Sequence, residues 1–227
     1  MIERIKELIP LFEETFPKLL EKGLTVTLPL TVYAFSLGMV IAIVTALVQF
    51  ANIQGLKQIA RFYIWIIRGT PLLVQLYVLF YALPRIGIVL DPFPTAIIAL
   101  SLNEGAYCAE TMRAALESVP EGQIEAGYCV GLSYLQIIFR IVLPQALRTA
   151  FPPLSNSLIS MVKDTSLVAS ITVAEMLNQA KKFMSRKHET LVLYLEVALV
   201  YLIFCTVLTF LQRWCEKMVN RRGFSKQ

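Results

Sequence analysis

The chain has 227 residues, 56% of them hydrophobic and only 16% charged, with a formal net charge of +5. Soluble domains carry roughly 25% charged residues, so this composition, with a mean hydropathy of +0.63, excludes an ordinary soluble globular protein. Four cysteines without CxxC spacing and a single histidine, His188, argue against zinc or thiol redox chemistry.

Residues 1–22 mix Glu3, Glu7, Glu13, Glu14 and Glu21 with Arg4, Lys6, Lys18 and Lys22, which does not fit a secretory signal. Apolar residues recur every three or four positions, which predicts an amphipathic interfacial helix interrupted near Pro10 and Pro17. A frayed polar terminus is the alternative. Residues 24–50 contain no Lys, Arg, Asp or Glu. As a helix they extend about 40 Å, more than the roughly 30 Å hydrocarbon core, and predict the first span.

The second span is predicted as broken: 62–67, then Arg68-Gly69-Thr70-Pro71, then 72–83. Thr70 suits a helix cap and Pro71 a first helical position. A half-helix starting there offers free amides to a substrate carboxylate; a simple kink, with Arg68 marking the interface, is the alternative. Residues 93–115, 147–171 and 191–211 complete five spans. The expected fold is therefore all-α, one membrane domain over 23–215, with a loop at 116–146 and a basic tail at 216–227. No nucleic-acid role is expected, because Arg213, Lys217, Arg221, Arg222 and Lys226 follow an apolar helix and mark a cytoplasmic end. Five spans then place the N-terminus outside. The cation count supports this only narrowly, ten inside against nine outside, and Lys181-Lys182 to Arg186-Lys187 opposes it.

The 116–146 loop carries two helix-start signals. Ser118-Val119-Pro120-Glu121 and Ser133-Tyr134-Leu135-Gln136 both fit capping boxes. Gly131 suits the left-handed residue that ends a helix. The expected structure is helix, tight turn, helix, with Pro144 closing the second helix. Spacing alone leaves a docking element and an ordinary interfacial loop equally open.

Glu125-Ala126-Gly127, Gly131, Ile141 and Leu143-Pro144 together resemble the EAA loop of ATP-binding-cassette import permeases, with Gly127 where the family has a second alanine. Arg68–Gln75 (RGTPLLVQ), Tyr107-Cys108-Ala109-Glu110, Gly122-Gln123, Pro144-Gln145-Ala146 and Lys163–Leu167 (KDTSL) resemble the polar amino-acid branch of that family. The resemblance implies a bacterial cell-membrane transport subunit without catalytic residues. It implies partnership with a cytoplasmic ATPase dimer, a second permease copy (identical or related) and an extracytoplasmic amino-acid-binding protein. No cofactor is expected on this chain; ATP and Mg would bind the ATPase. Glu125, Ala126, Gly127, Gly131, Ile141 and Pro144 are then the expected coupling residues.

Ionised groups at membrane depth cost about 2.5–3.5 kcal/mol, so each needs a partner or a task. Asn103 is the first candidate for substrate, because its amide both donates and accepts, as a zwitterion requires. Ser101, Asn156, Ser157 and Ser160 join it, with Thr70 and Gln75 from the RGTPLLVQ string. The polar face at 155–160 also fits plain helix–helix bonding. Glu110, Arg113, Lys163 and Asp164 are expected to form an ion network at a gate. An uncharged pocket favours a net-neutral substrate, and Leu90-Asp91-Pro92 with the 153–157 and 163–167 runs resembles cystine permeases. L-cystine is the expected substrate, with glutamine or a basic amino acid (arginine, histidine, lysine) as alternative. A passive carrier or channel, which would not need capped surface helices, is the competing class. Glu104, Glu110 and Asp164 lack the accompanying histidine or ligand spacing of an enzyme.

Overall fold

The computed structural model describes residues 2–51 and 54–221, with side chains for 8–51 and 54–218. No β-strand occurs among the described residues. The helices are α1 (Ile2–Lys22), α2 (Leu28–Phe50), α3 (Leu56–Gly69), α4 (Leu72–Tyr77), α5 (Pro92–Glu117), α6 (Glu121–Cys129), α7 (Tyr134–Ile137), α8 (Leu143–Asp164), α9 (Met176–Lys187) and α10 (Thr190–Arg221). Two helical stretches, Leu8–Phe50 and Thr190–Met218, are long and apolar enough to cross a membrane alone. Counting two bent pairs raises the number to four.

Proline placement explains the helix irregularities. Three wide π turns, Gly23–Thr27, Val78–Ala82 and Ile138–Val142, are each followed by a leucine and then a proline: Leu28-Pro29, Leu83-Pro84 and Leu143-Pro144. In each case the leucine N–H bonds the carbonyl five residues back. Proline has no N–H and its ring collides with the carbonyl four residues earlier. A widened turn relieves that collision without ending the helix. Pro144 therefore does not close the second loop helix, contrary to expectation: α7 runs through the π turn into α8. Pro10 and Pro17 likewise lie inside an uninterrupted α1.

The chain divides into two units. Unit 1 comprises residues 1–36, 71–100 and 159–209. One of its cores joins Leu19 of α1 to Met176 and Phe183 of α9 and Leu193, Val197 and Phe204 of α10. A second joins Leu30, Leu76, Leu100, Met161 and Ile171. The segment 172–190, expected as an external loop, is largely α9. Glu175 caps it, accepting from the Asn178 N–H at 2.8 Å, and its other oxygen accepts from the Tyr201 hydroxyl at 2.7 Å. Thr15 and Glu196 bring α1 and α10 together at 2.6 Å.

Unit 2 comprises residues 37–70, 101–158 and 210–227. Its core gathers Ala115, Val119, Ile137, Val142, Ala146 and Ala150. In lipid, apolar burial supplies little drive, so helices associate through close packing of small residues. On α2, Ala34, Gly38, Ala42 and Ala46 recur every fourth position and are all buried. A Cβ at Gly38 would meet Ser101 O at 3.2 Å; one at Gly105 would meet Ile41 Cγ2 at 2.8 Å and Tyr63 Oη at 2.9 Å. Tyr63 in turn donates to the Leu102 carbonyl at 2.6 Å, tying α3 to α5.

Candidate functional site

The loop between α5 and α8 is built around Gly131. Its φ of +79° is left-handed, and two bonds close the end of α6: Gly131 N–H to Tyr128 O at 2.9 Å and Leu132 N–H to Gly127 O at 3.0 Å. This is the Schellman pattern, in which residues past the helix end satisfy its last carbonyls. Leu132 then packs against the unit 2 core. Immediately afterwards Ser133 forms the expected capping box, with Ser133 N–H to Gln136 Oε1 at 2.9 Å and Gln136 N–H to Ser133 Oγ at 3.4 Å. The loop is thus helix, left-handed turn, helix.

The first expected box does not form. Pro120 is extended at ψ 135° and itself precedes α6, with no side-chain cap. That shifts the helix start past the reach of Ser118, whose hydroxyl donates back to Ala115 O at 2.8 Å.

The expected coupling residues separate into two groups. Glu125, Ala126, Gly131 and Pro144 are exposed. Gly127 is buried, and a Cβ there would meet Ile137 Cγ1 at 2.8 Å and Ile141 Cδ1 at 3.2 Å. Gly127 and Ile141 therefore hold α6 against the following π turn, while Glu125 and Ala126 face outward. Tyr128, Val130, Tyr134, Leu135 and Phe139 are also exposed, giving the loop an apolar, aromatic surface of the kind that anchors protein partners. In the sequence, large apolar residues inside a charged loop are the signal for this surface.

The second-span break occurs at Thr70-Pro71, but not by the expected cap. Pro71 holds the position before α4, and the Thr70 hydroxyl donates back to Ile66 O at 2.9 Å, terminating α3. Gln75 is half-buried in the first turn of α4.

On α5, Ser101 and Glu104 are buried and Asn103 is half-buried. Glu104 accepts from the Cys108 thiol at 3.1 Å. The polar run of α8 does not present one common face. Ser155 bonds its own helix at Phe151 O, 2.8 Å; Ser157 bonds Cys108; Asn156 accepts from Gln212 of α10 at 3.0 Å. Asn156 and Ser160, four residues apart, share an exposed stripe with Thr149 and Pro153.

Of the expected ion network, Glu110 and Arg113 pair through two bonds, Nε to Oε1 at 3.1 Å and Nη2 to Oε2 at 3.0 Å. Arg68 adds a contact to Glu110 at 3.7 Å and lies 5.1 Å from the Tyr107 ring centre, while Arg113 Nη1 donates to Glu117 at 2.6 Å. The chain formed in unit 2 is Arg68–Glu110–Arg113–Glu117. Lys163 and Asp164 end α8 in unit 1, the first exposed and the second half-buried.

Comparison with known proteins places these features in context. Residues 38–221 match the family model described as binding-protein-dependent transport system inner membrane component. The chain is 44% identical over 212 residues to the L-cystine transport system permease protein TcyB of Bacillus subtilis, covering 93% of this chain and 91% of that one. It is 36% identical to the glutamine transport system permease protein GlnP of Escherichia coli K12, covering 89% and 93%. A solved structure described as an amino acid ABC transporter with histidines matches with a TM-score of 0.86 at 31% identity, covering 92% of this chain and 97% of that one.

Proposed function

The chain belongs to the family of binding-protein-dependent transport system inner membrane components, and from that premise we propose that it is the permease subunit of an ATP-driven amino-acid importer, with L-cystine as substrate. The observation that carries the reading is the α6–α7 loop: a rigid Schellman-plus-capping-box corner that exposes Glu125 and Ala126 beside apolar side chains. Such a corner suits docking into a cleft of a cytoplasmic ATPase, where ATP and Mg bind and hydrolysis occurs. Glu125 supplies the polar contact, and Gly131 sets the angle between the two short helices.

In this reading the five spans are carried by α2, the broken pair α3–α4, α5, α8 with its continuation, and α10. The N-terminus is outside and the C-terminus and α6–α7 loop are cytoplasmic. A second permease copy and an external binding protein complete the importer. Asn103 leads the substrate contacts, with Ser101, Thr70, Gln75, Asn156, Ser157 and Ser160. The Glu110–Arg113 pair, with Lys163 and Asp164, serves the gate.

Cystine is favoured by the 44% identity to a cystine permease and by the expected contacts themselves, which are all uncharged side chains. Glutamine is the second reading, supported by the glutamine relative. Uptake of labelled cystine into cells expressing the complete system tests the order. Competition by unlabelled cystine and not by glutamine or arginine supports the proposal; stronger competition by glutamine reverses it. Co-purification of the ATPase, reduced by Glu125→Arg, tests the docking role separately.

A further inference from the structure

Within unit 2, Asn156 of α8 and Gln212 and Glu216 of α10 form a chain of side-chain hydrogen bonds. Gln212 and Glu216 are four residues apart and therefore on one face of α10. Gln212 Nε2 donates to Glu216 Oε1 at 2.8 Å and to Asn156 Oδ1 at 3.0 Å. A primary amide nitrogen carries two hydrogens, so both are engaged.

The direction of this chain is fixed at one end. A carboxylate only accepts, so Glu216 selects the Nε2 side of the Gln212 amide over its oxygen. With Nε2 so placed, the atom of Asn156 that faces it must be an acceptor. A pair of amides alone would bond in either direction; the carboxylate removes the choice. The Asn156 oxygen is thereby committed to α10, and what Asn156 offers to a ligand is the donor Nδ2. Asn156 nevertheless stays exposed, on the α8 stripe with Thr149 and Pro153, whereas Gln212 and Glu216 are half-buried. A plain bond between helices needs neither that exposure nor a fixed direction.

We propose that Gln212 is a positioning residue: it holds Asn156 with Nδ2 available to the carboxylate of the transported amino acid, and Glu216 sets that direction. The inference rests on the reading of Asn156 as a substrate contact. Asn156 then recognises the acid end of the zwitterion and not its ammonium group, because Nδ2 carries hydrogens and no acceptor. Gln212 and Glu216 act through Asn156 without touching substrate.

The importer, purified with its ATPase and without its binding protein, is titrated with labelled L-cystine. Cystamine, which keeps the disulfide and both amines but has no carboxylate, is titrated separately. Gln212→Glu presents only acceptors to Asn156, whose Nδ2 must then turn toward α10. Cystine binding should weaken by about tenfold, the loss of one charge-assisted hydrogen bond, and cystamine binding should not weaken. Gln212→Leu leaves the Asn156 amide free to turn. With about half its orientations competent, it should bind cystine about twofold more weakly. Glu216→Gln should weaken cystine binding by about twofold for the same reason. That variant separates orientation from charge, since removing a negative charge near an anionic ligand group would by itself tighten binding. Wild-type cystine affinity in Gln212→Glu, when Asn156→Ala weakens it, overturns the role of Gln212. So does tighter cystine binding by Glu216→Gln, or an equal loss for cystamine in Gln212→Glu, which would mark a merely structural bond. Unchanged cystine binding by Asn156→Ala removes Asn156 from the substrate site, and the proposal falls with it.

Discussion

Two serines in equivalent sequence contexts end in different chemistry. Ser133 caps α7 through both bonds of its box, whereas Ser118 bonds back to α5 because extended Pro120 moves the next helix start away. Ser133→Ala is therefore expected to cost about 1 kcal/mol, and Ser118→Ala less than about 0.5 kcal/mol, as measured by thermal melting of the purified protein. Gly131 is held at φ +79° with open space around its Cβ position, so backbone conformation alone restricts it. Gly131→Ala should lose about 1–2 kcal/mol. Gly131→Asn, which tolerates the left-handed region, should lose less and keep more ATPase co-purification; equal losses would show that side-chain volume, not backbone conformation, matters there.

Helices meet where the sequence places small residues. The α2 stripe of Ala34, Gly38, Ala42 and Ala46 could have been read from its four-residue period alone. Its partner Gly105 is tighter, because an added Cβ would lie 3.0 Å from Ile41 Cβ, an atom that cannot rotate away. Gly105→Ala is expected to destabilise: overpacking costs about 1–3 kcal/mol, against about 1 kcal/mol of recovered helix propensity. A lowered melting temperature checks the sign. The Arg68–Glu110–Arg113–Glu117 chain supports a second element-scale prediction. Glu110→Gln leaves Arg68 and Arg113 without their shared carboxylate, so it should slow transport and lower stability by about 1 kcal/mol, the scale of a partly exposed pair. A double-mutant cycle with Arg113→Gln should recover part of that loss. Strict additivity would mean that the pair contributes nothing.

At the scale of the whole molecule, the proposed topology makes Cys129 a reporter, since it is exposed at the end of α6. In a variant keeping only this cysteine, a membrane-impermeant maleimide should label inverted vesicles and spare intact cells. Labelling of intact cells would invert the orientation. Uptake should also stop when ATP is depleted; persistence would favour the passive-carrier class. Each unit draws on three separated stretches of chain, so neither could be delimited by composition or linkers.

Composition and local backbone chemistry were enough to read a helical membrane protein, the break at Thr70-Pro71, and the Gly131–Ser133 corner, because charge depletion, proline and left-handed glycine act over a few residues. The same local rules misjudged Pro10, Pro17 and Pro144. Packing and widened turns let those helices continue, and such compensation depends on neighbours. Tertiary structure alone decided that Gly127 and Ile141 face inward while Glu125 faces out, and that Glu175 caps α9 from a buried site. It also decided that Arg68 of α3 joins the Glu110–Arg113 pair, whereas Glu117 lies only one turn beyond Arg113 on α5. The inward packing of Gly127 and the Arg68 contact turn on distances between separate helices, and the burial of Glu175 on its bond to Tyr201 of α10, which no short window of sequence contains.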